Sequence, residues 1–487
     1  MSNNTKTEES LSKKYKQPKN VEQYGVEVIP DEKRTVKWWD ISAMVLNFVV
    51  NPGTIVISGS VIAAGLSFGQ SILVGILSIL VGFSVYLVAA TVGVDYGIPG
   101  IVSMRSVFGI RGAWLTSTLR TISSIYWFAF QTISGALGLT AVLKVLFNTE
   151  VSLILVSLIF AFMQVLVATF GYDSLRYLSR FSFVLKIVFS AVIVYVLMNY
   201  PVESFHPSSV FSFATGDGVK WVLIGIWTTS MAAAWFSNFT DAADFCRYSK
   251  TRVDMWIGTI VAAVLGQLIC SFVGGYAVAA TMGEVANPFD VIVTASEGAI
   301  WFLLILVVFI ILDNWCINVQ NLYTGGLALT SIFEGLGRFW GTIIVSAVGV
   351  TLSVIPQLVE GYVGYMGMLG NIFAPMGGIF VAHYIIFARG TIDIPALYNE
   401  GNRYWFWKGF NWVAMVWIII GFFINITVPT QYLNILVTAT LSGIGYIFTM
   451  LIVRKFSPSL NLATQKVIYE EKANVEVQML EAKESNI

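Results

Sequence analysis

Twelve times along this chain, charged residues give way to an apolar run long enough for a helix to cross the hydrocarbon of a bilayer, a distance of about 20 residues. The runs fall near 39–65, 70–93, 113–143, 151–171, 181–199, 219–241, 254–281, 298–331, 339–356, 361–388, 409–428 and 431–453. Basic residues collect in alternate connections: Arg105 and Arg111, Arg176 and Arg180, Arg247, Lys250 and Arg252, Arg338, then Arg389, Arg403 and Lys408. The opposite connections carry only Lys144 and Lys220. Because Lys and Arg are retained on the cytoplasmic side, this alternation predicts a multi-pass protein of the cell membrane with both termini cytoplasmic. Only 11% of residues are charged, against about 25% in soluble domains, too few to cover a water-facing surface. The expected fold class is therefore an all-α integral membrane protein of twelve transmembrane helices, with the lipid bilayer as its first partner.

Lys plus Arg equals Asp plus Glu at 28 each, so no basic excess points to nucleic acid. Cys246, Cys270 and Cys316 are odd in number and lack a CxxC spacing, which argues against a disulfide framework or a zinc site and for packing roles. The Lys-rich opening stretch has no early apolar core with a cleavage site, so no signal peptide is expected. His206 and His383 are not placed for a metal site, and no HExxH, GxSxG or phosphate loop occurs. With no nucleophile and base pair visible, neither an enzyme nor a bound cofactor or metal is expected.

Breaks within the spans carry more information. Asn51-Pro52-Gly53 sits in the middle of the first span, where proline removes a backbone donor and glycine loosens the chain. Unwound backbone at that depth is tolerated only where protein buries it or a cavity meets it, and such helices point to a transporter's substrate site. Five spans later, Gly225, Thr228, Thr229 and Ser230 give the sixth span a weaker break signal. The expected organisation is a cytoplasmic tail (1–38), a first five-helix repeat (39–199), an inverted second repeat (219–388), two further helices (409–453) and a cytoplasmic tail (454–487).

Asp313 follows an unbroken apolar stretch from Ala299 that carries it roughly 20 Å into the eighth span. Burial there disfavours the charged carboxylate, a property that suits a proton-coupling group; the alternative is a hydrogen-bonded acid that fixes packing. Asn314, Asn318 and Asn321 share a helix face, suited either to an amide-bearing ring or to interhelical hydrogen bonds. Trp127 and Gln131, four apart, pair an aromatic platform with an amide, and Trp235 is a candidate for the opposite wall. Asn47 and Asn51 flank the break, where freed carbonyls could hold Na⁺, and the amides could meet substrate or cap the broken ends.

Several segments carry a resemblance. Tyr96-Gly97-Ile98-Pro99-Gly100 with Arg105, Phe108-Gly109 and Arg111-Gly112, the run Tyr126-Trp127-Phe128-Ala129-Phe130-Gln131, and Ala243-Asp244-Phe245-Cys246-Arg247-Tyr248 resemble the nucleobase:cation symporter family. Asn321-Leu322-Tyr323, Pro375-Met376-Gly377-Gly378 and the stretch from Tyr404 to Trp412 are similar to further segments of it. That family includes purine/cytosine, allantoin and hydantoin permeases. The resemblance implies a symporter importing a purine, cytosine or related flat nitrogenous heterocycle by alternating access, on a five-plus-five fold of the leucine-transporter type. It implies stacking by Trp127 and Trp235 and hydrogen bonding by Gln131 and Asn321, with Asn51, Asn47 or Asn318 completing the pocket. Sodium-coupled members carry Ser and Thr hydroxyls before an eighth-helix asparagine, whereas here Cys316-Ile317 precedes Asn318. With Asp313 nearby, H⁺ is the expected coupling ion and Na⁺ the alternative. A sodium-coupled permease for hydantoin, allantoin or a vitamin precursor is the second expectation, and a ligand-gated channel the alternative of a different class. His383 stands where the resemblance leads one to expect an acidic residue.

Overall fold

The computed structural model describes residue 22 and residues 24–467, so most of the expected N-terminal tail (1–38) and part of the C-terminal tail (454–487) lie outside the described residues. Twelve apolar helical segments follow one another. The first, α1, comes in two pieces, α1a (Trp38–Val49) and α1b (Pro52–Ala63). Then come α2 (Phe68–Tyr96), α3 (Ala113–Phe147), α4 (Leu153–Ala168), α5 (Tyr172–Met198) and α6 (Trp221–Ser237). The series closes with α7 (Arg252–Ala280), α8 (Ile300–Ile332), α9 (Gly337–Leu352), α10 (Tyr362–Ala382), α11 (Trp412–Thr427) and α12 (Asn434–Val453). Large apolar side chains such as Phe162, Phe181 and Tyr195 point outward and are more than 60% exposed, as lipid-facing residues are.

The break in α1 lies where the sequence puts it. The two pieces meet at a 54° bend. Asn51 caps α1b by accepting from the Thr54 N–H at 2.8 Å, its amide donates to Phe48 O at 2.8 Å, and Pro52 takes the first helical position, where no donor is needed. The second break is displaced from the expected place. Helix α6 runs unbroken through Gly225 and Thr228–Ser230, and the chain departs from α-helix at Asn238–Thr240 before the short helix Ala242–Cys246. The weak helix formers serve packing instead. A Cβ on Gly225 would meet Gln431 O at 2.1 Å, and Thr229 Oγ1 donates to Thr430 O at 2.7 Å.

Helix α5 also starts earlier than its apolar run, at Tyr172. Arg176 and Arg180 are helical, not loop, because both pair with the buried Asp40 of α1a, Arg176 at 2.7 Å.

Packing follows the repeat: adding five to each helix number exchanges the main contacts. α1 packs on α7 as α6 packs on α2; α1a packs on α5 as α6 packs on α10; α3 packs on α4 as α8 packs on α9. Two bodies result, one of α1, α2, α6 and α7 and one of α3, α4, α8 and α9.

Both ends of the described chain lie on one face, here the terminal face: Tyr398 Oη donates to Val26 O at 2.6 Å, and Val467 N to Thr391 Oγ1 at 3.0 Å. The segment before α1 straps this face. Glu22 accepts from Arg247 Nη2 at 3.1 Å, Tyr248 Oη at 2.6 Å, Tyr323 Oη at 3.1 Å and the Tyr172 N–H at 3.0 Å. Arg338 Nε lies 3.5 Å from it. Arg247 and Arg338 are wholly buried, and Glu22 is the carboxylate both of them share.

Candidate substrate site

The α1 break and the end of α6 open onto one interior cavity between the two bodies. Its walls come from α1 (Phe48, Asn51, Gly53, Thr54, Ile57), α3 (Arg120, Trp127, Phe130, Gln131) and α6 and its continuation (Met231, Ala234, Trp235, Asn238, Asp241, Phe245). Helix α8 adds Ile317, Gln320 and Asn321, and α10 adds Tyr362. Of the residues singled out in the sequence, Trp127, Gln131, Trp235, Asn321 and Asn51 meet here.

Packing fixes the aromatic walls. Trp235 lies against Phe48 at 6.2 Å and Phe83 at 6.0 Å between ring centroids, while Trp127 meets Phe130 and Tyr362 edge to face. Both indole N–H groups are buried with no partner among the described residues. They are donors left unpaired beside the cavity, and a bound ring carbonyl or ring nitrogen would satisfy them.

The amide wall is built by an interhelical ladder. Asn318 donates to Gln164 Oε1 at 2.7 Å, Thr132 Oγ1 at 2.9 Å and Phe128 O at 3.2 Å, and Gln164 donates to Asn314 Oδ1 at 2.8 Å. Asn314 donates to the main-chain carbonyl of Gln131. At the end of the ladder Asn321 donates to Asn318 Oδ1 at 3.2 Å and faces the cavity. Asn314 and Asn318 thus hold α3, α4 and α8 together, and Asn318 reaches the cavity only by orienting Asn321. Asn47 is likewise engaged elsewhere, donating to Ala43 O at 2.6 Å and Ser179 O at 2.8 Å and accepting from Ser182 at 3.0 Å.

Gln131 is set by Gly53. The Gly53 N–H donates to Gln131 Oε1 at 3.3 Å, and a Cβ at this glycine would lie 2.5 Å from Phe130 and 2.8 Å from Gln131. Gly53→Ala is therefore expected to displace the buried Phe130 ring and turn Gln131, weakening ring binding about tenfold. Equilibrium binding of labelled hypoxanthine and cytosine checks this.

Asp313 lies away from the cavity lining, in an ion pair with Lys186 of α5, the two side chains 0% and 1% exposed. The Lys186 ammonium also donates to Val50 O at 2.8 Å and Asn47 O at 3.1 Å, carbonyls freed where α1 breaks. Sequence reasoning passed over Lys186, although a lysine inside the run 181–199 carries the same warning as an acid inside a span. His383 is buried and shares a 2.8 Å hydrogen bond with Tyr446 of α12, far from this site in the packing order.

Residues 28–448 match the sequence profile of a family described as permeases for cytosine/purines, uracil, thiamine and allantoin. The chain belongs to this permease family. It is 27% identical to the hydantoin permease of Microbacterium maritypicum over 358 residues, covering 69% of this chain and 70% of that one. It is 23% identical to the allantoin permease of Bacillus subtilis, covering 81% and 84%, and 26% identical to the purine-uracil permease NCS1 of Arabidopsis thaliana, covering 80% and 68%. In fold it matches Mhp1, a nucleobase-cation-symport-1 family transporter solved closed with bromovinylhydantoin bound, at a TM-score of 0.76 and 21% identity over 91% of this chain and 97% of that one. A sodium-coupled sialic acid symporter shares the fold at a TM-score of 0.61. The permease assignment answers the question of class left open by the residues: the chain is a membrane transporter, not an enzyme.

Proposed function

We propose that this permease imports a purine, cytosine or a related flat nitrogenous ring by proton symport, with the terminal face in the cytoplasm and the site exposed to each side in turn. The observation that carries the substrate class is the cavity wall. Trp127 and Trp235 offer π faces and unpartnered N–H donors, and Gln131, Asn321 and Gln320 offer amides. A planar ring with alternating N–H and C=O groups complements that set. Asn51 closes the pocket as the cap of α1b, and Asn47 and Asn318 act by holding its neighbours.

For the coupling ion, Lys186 supports H⁺ over Na⁺. Its ammonium occupies the carbonyls of the α1 break and pairs with Asp313, so a tethered cation fills the place where a free Na⁺ would bind. A proton exchanging on Asp313 then alters the tie between α8, α5 and α1. For the alternative, a sodium-coupled permease for hydantoin, allantoin or a vitamin precursor, two relatives are a hydantoin and an allantoin permease, which supports its substrates and not its ion.

The test is uptake into proteoliposomes of radiolabelled cytosine, hypoxanthine, uracil, allantoin and hydantoin under separate inward gradients of H⁺ and Na⁺. Accumulation of a purine or cytosine under the proton gradient alone is expected. Accumulation confined to hydantoin or allantoin and requiring Na⁺ would replace this proposal with its alternative.

A further inference from the structure

The cavity continues past the rings toward the terminal face. Its wall descends α3 from Gln131 to Arg120, about 16 Å of helix. At the bottom, Arg120 Nη2 lies 2.6 Å from Asp241 Oδ2, the two side chains only 3% and 2% exposed. The same guanidinium donates to Asn238 Oδ1 at 3.2 Å and to Thr324 Oγ1 at 3.0 Å. Arg120 belongs to α3 and Thr324 to α8, in one body, whereas Asn238 and Asp241 sit where α6 ends, in the other.

Stability alone does not account for this pair. Desolvating two charges is repaid only when every remaining hydrogen-bonding position is filled, and here Arg120 Nε and Asp241 Oδ1 have no partner among the described residues. Recognition of a ring by Trp127, Trp235, Gln131 and Asn321 does not call for it either. Its position does: it bridges the two bodies beneath the site, where a departing solute must pass, and on α8 the next residue up, Tyr323, contacts the Glu22 strap. We infer that the Arg120–Asp241 ion pair is the inner gate of the transport path, closed in this structure, and that it must part before the cavity meets water on the terminal face. Spare polar atoms on both partners then become useful, because water can take up the separated charges.

The test reads access rather than transport, so it stands or falls independently of which ring is carried. In a protein with Cys246, Cys270 and Cys316 replaced by serine, Gln320→Cys places a thiol on the cavity wall. Its rate of modification by a membrane-impermeant maleimide, added on the terminal face of oriented proteoliposomes, reports the gate. Asp241→Asn removes the carboxylate paired with Arg120 and is expected to raise that rate about tenfold. Exchanging the charges, Arg120→Asp with Asp241→Arg, is expected to return it to within about twofold of the parent. An unchanged rate in folded Asp241→Asn protein overturns the inference. If that variant does not reach the membrane folded, Arg120→Lys decides in its place, keeping the charge but losing the planar fork that reaches Asn238, Asp241 and Thr324 together. A faster rate then supports the gate, and an unchanged one overturns it.

Discussion

Asp313→Asn is expected to abolish accumulation of the ring under an imposed pH gradient while downhill exchange persists. Asp313 and Lys186 are buried against each other, and Lys186 is held besides by the carbonyls of Asn47 and Val50. Neutralising one partner strands the other charge in the bilayer interior, so the same variant should lose about 3–5 kcal/mol of stability. A paired replacement separates the two effects. Lys186→Met with Asp313→Leu removes both charges, and its melting temperature should return to that of the parent or above it, because well-packed apolar groups replace a buried ion pair at little or no loss. Accumulation should stay absent in the double variant. Proton-driven accumulation there would exclude the pair from coupling, whatever its part in folding.

The second large effect is expected at the indoles. Stacking on an aromatic side chain contributes about 1–3 kcal/mol per base, so Trp127→Ala and Trp235→Ala should each weaken ring binding about 5- to 150-fold. Replacement by Phe divides the contribution: it keeps a π face and removes an N–H that has no partner among the described residues. Intermediate affinity is therefore expected for both Phe variants, measured by equilibrium binding of labelled hypoxanthine to purified protein. Unchanged affinity in both alanine variants would move the ring elsewhere in the cavity.

Helix number and the α1 break were legible because each follows from a local rule, that of apolar length in one case and of proline chemistry in the other. Five of the singled-out polar and aromatic residues also meet at one cavity, because helical spacing puts Trp127 beside Gln131 and Asn321 at the end of its amide face. What stayed hidden depends on partners distant in sequence. Asn47 and Asn318 read equally as pocket amides or as structural ones until Ser179, Ser182, Gln164 and Thr132 are packed against them. Gly225 and its neighbours carry a weak break signal in the sequence, since nothing local reveals that the loop at Thr430–Gln431 presses on that face. Lys186 and Arg120 were open to detection. Both are charges inside apolar runs, and weighing every intramembrane charge rather than the acids alone would have found them.

The strap over the terminal face bears on how such a chain is made. Glu22 leaves the ribosome ahead of every helix, yet Arg247, Tyr323 and Arg338 emerge only with the sixth, eighth and ninth. That carboxylate meets the Tyr172 N–H with the fifth helix but Arg338 only with the ninth, and contacts so remote in sequence form late. The nascent protein therefore lacks the full set of these ties until its second half has been inserted, and fastening the strap is among the later steps of its assembly.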